Sequence, residues 1–286
     1  MPISVDDGLS LQAEAALDKA TTAKRRPGAY LLQAMLAGAY IGVAVVLMLM
    51  VGGTFITSDS IATKLVEGAV FGIALTLVVF AGAELFTGVV MTMTVGVMRG
   101  KAKVLDLIAV WAAALAGNFV GAAIFSAIVA GSGIVTALNP KHEATYLLAL
   151  TAIIKGKVAL SGAALFWRAV LCNFLVCLGL WMAQRATSDA AKLICLFWVL
   201  LAFVASGFEH SVANMTVFML GIFTHAHLAT AGNMLRNLGF TVPGNIVGGA
   251  VMVGAAYCVS SLRTAKEAAF EPPTHAPVGE LADVAG

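Results

Sequence analysis

Residues 205–215 read Ala-Ser-Gly-Phe-Glu-His-Ser-Val-Ala-Asn-Met, and they interrupt an apolar segment that otherwise runs from about 189 to 221. The interruption puts Glu209, His210 and Asn214 where a membrane-spanning helix would be deepest. An ionisable residue there costs about 2.5–3.5 kcal/mol on insertion scales, so the trio must face a cavity or the interior of a bundle. Gly207 marks the point where the helix is expected to break. An earlier stretch, Ala81-Gly82-Ala83-Glu84-Leu85-Phe86-Thr87-Gly88, breaks the apolar run at about 65–98 in the same way, and its Glu84 lies 125 positions before Glu209. The third and sixth apolar segments also share a phrase, Gly117-Asn118-Phe119-Val120-Gly121 and Gly244-Asn245-Ile246-Val247-Gly248, 127 positions apart. The chain therefore reads as two repeats of three segments, and an odd number of crossings forces the second repeat to enter from the opposite side. Inverted repeats with paired interrupted helices point to a transport site at the membrane midplane.

Composition supports that frame. Of 286 residues, 60% are hydrophobic and 11% charged, against about 25% charged in a typical soluble domain. Six apolar segments, at roughly 29–53, 65–98, 104–131, 160–184, 189–221 and 240–262, are each long enough to cross a bilayer, which takes about 20 mainly apolar residues. The fold class is all-α integral membrane, with helices 2 and 5 interrupted. A net charge of +2 with scattered basic residues excludes a nucleic-acid surface, which needs a clustered basic footprint. Cys172, Cys177, Cys195 and Cys258 lie in apolar stretches without metal-type spacing and read as small buried hydrophobes. His142, His225, His227 and His275 have no partner at ligand spacing, and no metal or cofactor is expected.

Three regions follow along the chain. Residues 1–27 form a polar, partly helical leader at the membrane surface, with a weak stripe of Leu9, Leu11, Ala15, Ala16 and Ala20 and with Pro27 as its stop. Residues 28–264 form the membrane domain, and 265–286 a polar tail expected to be disordered. The acidic-before-basic order of the leader does not match a cleavable signal peptide. Lysine and arginine excess marks the cytoplasmic side. One side carries Lys24, Arg25, Arg26, Arg99, Lys101, Lys103, Arg185, Lys192, Arg263 and Lys266; the other carries fewer in its connections, Lys64, Lys141, Lys155, Lys157 and Arg236. Both termini are thus expected in the cytoplasm.

Individual residues suggest chemistry. His210 can donate a hydrogen bond to an anion in either protonation state. Thr87 offers a hydroxyl at the matching break, where non-helical backbone must line a cavity or be buried in protein. Glu209 is expected to accept from freed backbone amides or to orient the histidine, with Glu84 and Asn214 supporting the breaks. Phe71, Leu75, Leu85, Phe86 and Phe203 lie on the interrupted segments, where bulky apolar groups can close a pore by dewetting. Lys157 can concentrate anions at a vestibule. Asn173 puts an amide inside an apolar helix, and Asn118 and Asn245 are expected to serve close helix packing.

Together, Ser-Gly-Phe-Glu-His-Ser-Val-Ala-Asn-Met, Glu-Leu-Phe-Thr-Gly and Leu-Cys-Asn-Phe-Leu-Val-Cys-Leu resemble the bacterial formate/nitrite transporter family over residues 28–262. Gly-Ala-Tyr-Ile-Gly-Val and Phe-Gly-Ile-Ala-Leu-Thr-Leu-Val are more similar to its nitrite branch. The resemblance implies an aquaporin-like six-helix protomer in the bacterial inner membrane, assembled as a homopentamer among membrane lipids, with one substrate path per protomer. It implies a central pore histidine at His210, the loop residue Thr87, an outer constriction of Phe71 and Phe203, and an inner one of Leu75, Leu85 and Phe86. Lys157 and Asn173 fit its vestibule lysine and pore-side asparagine. The implied cargo is nitrite or formate, small anions of weak acids that can take a proton on the way, with formate as the alternative to nitrite.

Two other readings compete. A pore for water or small neutral solutes shares the implied fold, but the paired Asn-Pro-Ala signatures are absent. A membrane enzyme using Glu209 and His210 as base and acid lacks a nucleophile, a metal set and a phosphate-binding loop, so no catalytic residues are assigned.

Overall fold

Ser4 starts the first helix by accepting a bond from the Asp7 amide at 3.0 Å, and Asp6 and Asp7 at its beginning with Lys24 and Arg25 at its end suit the helix dipole. This computed structural model describes residues 1–55, 60, 62–141 and 143–261. Helix α1 (Val5–Arg25) is regular throughout. The leader helix stops at Arg25, just before Pro27 as expected, and Pro27 itself opens α2 (Pro27–Phe55), since proline at a first helical position loses no needed donor. The second crossing is α3 (Thr63–Phe71) and α4 (Ile73–Phe80), then a break, then α5 (Phe86–Met98). Helix α6 (Val104–Gly131) closes the first repeat.

The second repeat begins with α7 (Thr145–Ala159), which sequence reading left inside a long connection. Its 15 residues are too few to span. Helix α8 (Gly162–Arg185) crosses, and α9 (Asp189–Ala205) and α10 (Ser211–Phe223) form the second interrupted crossing. Helix α11 (Ala231–Ile246) holds Pro243 and continues through a π-helical stretch, Val247–Ala255, to residue 261. Among the described residues, five helices are long and apolar enough to cross a membrane, and the α9–α10 pair makes the sixth crossing. Among the described residues there is no strand. The expected tail of 265–286, with Arg263, Lys266, His142 and His275, lies outside the described residues.

Both breaks turn on a glycine with positive φ, Gly82 at 77° and Gly207 at 67°, a backbone region that a side chain would strain. Helix α1 lies against α2, α5, α6 and α8. Its buried face is Gly8, Leu9, Gln12, Ala13, Ala16 and Ala20, whereas Leu11 is 49% exposed. The expected stripe was therefore set one position off at Leu11 and Ala15, because alanine spacing alone defines a helical face poorly.

Candidate functional site

The two breaks are built alike. At the first, Asn118 Nδ2 donates to the carbonyls of Ala34 (2.8 Å) and Glu84 (2.9 Å), and its Oδ1 accepts from the Phe86 amide at 2.8 Å. At the second, Asn245 Nδ2 donates to the carbonyls of Ala169 (2.8 Å) and Glu209 (3.1 Å), and its Oδ1 accepts from the Ser211 amide at 2.9 Å. The Glu84 and Glu209 carbonyls and the Phe86 and Ser211 amides are backbone groups that the breaks leave without helical partners, and the bonds to Ala34 and Ala169 tie each break to α2 or α8. Asn118 and Asn245 thus do more than the close packing expected of them. The packing is there as well: a side chain at Gly121 would collide with the Met35 carbonyl, and one at Gly248 with that of Val170.

The breaks bring Thr87 and His210 together, with Thr87 Oγ1 3.2 Å from His210 Nε2. The Ala213 amide donates to His210 Nδ1 at 3.2 Å, so Nδ1 is unprotonated and a neutral ring carries its hydrogen on Nε2, facing Thr87. Thr87 then accepts, and its own hydroxyl hydrogen is left to serve a third atom. Helices α5 and α10 both begin here, at Phe86 and Ser211. Their positive dipole ends converge on this point. Phe203 stacks on the His210 ring at 5.9 Å and meets Phe71 edge-on at 5.6 Å.

Two cavities approach this centre. One, of about 460 Å3, is lined by Phe71, Lys157, Phe203, Glu209 and His210 among others. The second, of about 570 Å3, is lined by Gln12 and Lys19 of α1 together with Glu84, Leu85 and Gly88. Leu75, Phe86 and Thr87 line neither and are buried between them.

Glu209 departs from the expectation that it would serve backbone amides or the histidine. Its carboxylate takes Lys157 Nζ on both oxygens, at 3.0 and 2.9 Å, and Asn214 Nδ2 at 2.6 Å. The amide of Ser211 is already held by Asn245, and His210 Nδ1 by Ala213. Lys157 lines the cavity as expected, but as a buried ion pair and not as an open charge, with its side chain 15% exposed. Lys155 is exposed. Asn173 donates to the carbonyls of Thr87 (3.1 Å) and Asn245 (2.6 Å) and lines neither cavity.

Two residues were missed. Lys19 donates to both oxygens of Glu84, at 2.6 and 2.7 Å, and so repeats on the α1 side what Lys157 does for Glu209. Glu67 lies in the wall of the first cavity, 5% exposed. A glutamate three residues into an apolar segment should have drawn the same attention as Glu84 and Glu209.

Six crossings in two inverted halves, both with a helix broken beside a buried polar pair, define a membrane transport protein of the interrupted-helix type. The chain belongs to the formate/nitrite transporter family, whose model, described as formate/nitrite transporter, matches residues 10–259. It is 40% identical over 232 residues to the nitrite transporter NirC of Escherichia coli (strain K12), covering 81% of this chain and 83% of that protein. Among solved structures it is similar to an FNT family ion channel, with TM-score 0.82 and 35% identity over 89% of this chain and 99% of that one. It is also similar to a pentameric formate channel with formate bound, with TM-score 0.70 and 30% identity over 84% of this chain and 99% of that one. These are transporters and channels; the chain is not an enzyme.

Proposed function

We propose that the chain conducts small monovalent weak-acid anions, nitrite ahead of formate, through a path within each protomer of a homopentamer in a bacterial inner membrane. Nitrite comes first because of the identity to a nitrite transporter, and the pentamer because of the likeness to a pentameric formate channel. The basic-residue bias puts both termini in the cytoplasm, so the Lys157 cavity faces outward and the α1 cavity inward. Residues 28–264 carry the path, and 1–27 cover its inner end.

The observation that carries the reading is the Thr87–His210 pair, 3.2 Å apart between two cavities. Moving a bare anion past Phe71 and Phe203 into this apolar stretch removes its water, which favours its neutral acid. A proton taken up from the outer solution on the way in lets the cargo cross uncharged, with the neutral His210 ring as its hydrogen-bond donor. The Nε2–H and the Thr87 hydroxyl, with two helix N-termini behind them, supply donors where the negative charge is least solvated. Replacing His210 with Phe removes the Nε2 donor. Nitrite uptake into proteoliposomes, compared with formate and with chloride as control, is expected to fall about tenfold or more; undiminished uptake rejects the central role of His210.

A further inference from the structure

Glu67 is an awkward residue for an anion path. It lies on α3 one turn before Phe71, so both share a face, and it lines the Lys157 cavity just outside the Phe71–Phe203 rings. Its side chain is 7% exposed. Its Oε1 occupies the space left by Gly52, where a side chain would collide with it. A buried carboxylate repels the cargo and is itself costly to desolvate, so some gain must accompany it.

The same cavity holds a second carboxylate, and the two differ in how they are held. Both oxygens of Glu209 are occupied by Lys157, one of them also by Asn214, and the Lys157 side chain is only 15% exposed. Protonating Glu209 would leave a largely buried ammonium without its counter-charge. Among the described residues Glu67 has one ionic partner, Lys64, at 2.7 Å on Oε2, and that lysine side chain is 62% exposed. If Glu67 takes a proton, Lys64 is resolvated at little cost. The other titratable or charged groups lining the cavity are Lys157 on α7, Arg168 on α8 and His210 at the second break. Helix α2 carries no charged residue, and Tyr146 of α7 lies against its Gly53.

We propose that Glu67 is the external proton-loading group of the pathway, a wall-mounted carboxyl that takes a proton from the outer solution and gives it to the anion as it meets the aromatic rings. This rests on the reading that the cargo crosses as a neutral acid. In the transfer, the O–H bond of the Glu67 carboxyl breaks and an O–H bond forms on an oxygen of the anion. Glu67 returns to carboxylate and pairs again with Lys64, and no oxidation state changes. An arriving anion thereby finds a donor one helical turn before the point where its charge becomes costly. His210 stays as the neutral hydrogen-bond donor of the central stretch.

The test uses the full-length protein in phosphatidylcholine–phosphatidylglycerol vesicles, with sodium nitrite as probe, and reads the ratio of uptake at acidic to uptake at neutral external pH. In Glu67→Gln this ratio is expected to fall to about one, while Glu67→Asp keeps most of the wild-type rise. In Lys64→Gln the pH profile of uptake is expected to differ from that of the wild type, because Glu67 has lost its ion-pair partner. This second variant changes only an exposed side chain, so it bears on the proposal even if Glu67→Gln misfolds. An unchanged ratio in Glu67→Gln, or an unmoved profile in Lys64→Gln, overturns the role of Glu67 alone. A wild type without any acid stimulation overturns the neutral-acid reading and this inference with it.

Discussion

Asn118 and Asn245 hold the two breaks open, each satisfying one carbonyl and one amide at its break and tying them to a carbonyl within α2 or α8. An unsatisfied buried group costs about 1–3 kcal/mol. Asn245→Ala leaves the Ser211 amide and the carbonyls of Ala169 and Glu209 without it. We expect a loss of about 2–4 kcal/mol in reversible detergent unfolding, and a similar loss for Asn118→Ala at its own break. A loss below about 0.5 kcal/mol means that water or backbone relaxation satisfies these groups instead. At this scale the sequence was only partly legible. The paired Gly-Asn phrases were visible, and so were Glu84 and Glu209 as buried charges. What each charge touches was not, because Lys19 lies 65 positions from Glu84 and Lys157 lies 52 from Glu209. Glu67 was within reach of the same rule, as a carboxylate near the start of an apolar segment.

Among the elements, α1 is the one whose role the sequence understated. A polar leader with a weak stripe gave no sign that it would dock, since half of its buried residues are alanine and its ties are made by side chains far along the chain. Asp6 pairs with Arg99 at 2.8 Å and accepts from Ser261 at 2.7 Å. Glu14 pairs with Lys101 and Lys24 with Asp106. The hydrogen bond from Ser261, then that from Arg99, holds the Asp6 carboxyl below its usual range. A carboxyl with a depressed folded pKa stabilises the docked helix above its unfolded value, and that contribution disappears as pH falls through the folded value. Hydrogen exchange of the first turns of α1 should therefore stay slow from neutral pH down to the ordinary carboxylate range and speed up below it. Asp6→Asn should exchange fast already at neutral pH. If exchange is slow and equal in both proteins, the apolar contacts of Leu9, Ala13 and Ala16 hold the helix without Asp6. The crossings themselves were legible because length and apolarity decide them, whereas α7 was not, since a 15-residue helix that stops short of spanning has no signature distinct from a long loop.

Over the whole molecule, the inverted repeat yields two wide cavities with a closed stretch between them, and in the function we propose this closed stretch decides what passes. Phe71 and Phe203 bound it on one side and Leu85 on the other, with Leu75 and Phe86 buried between. Such apolar groups exclude ions by keeping the path dry. Barriers in series make the higher one limiting, so removing one changes little while the other stands. We expect Phe71→Ala alone to change chloride leakage by less than about twofold, and Leu85→Ala likewise. Their combination, which widens both ends of the dry stretch, should raise leakage about tenfold, equivalent to ~1.4 kcal/mol off the barrier. Chloride is the informative probe because, unlike nitrite or formate, it is the anion of a strong acid and has no neutral form to cross in. A tenfold leak from Phe71→Ala alone would show that the aromatic pair carries the barrier by itself. In that case Leu75, Leu85 and Phe86 are packing, and selectivity lies within one helical turn of Glu67.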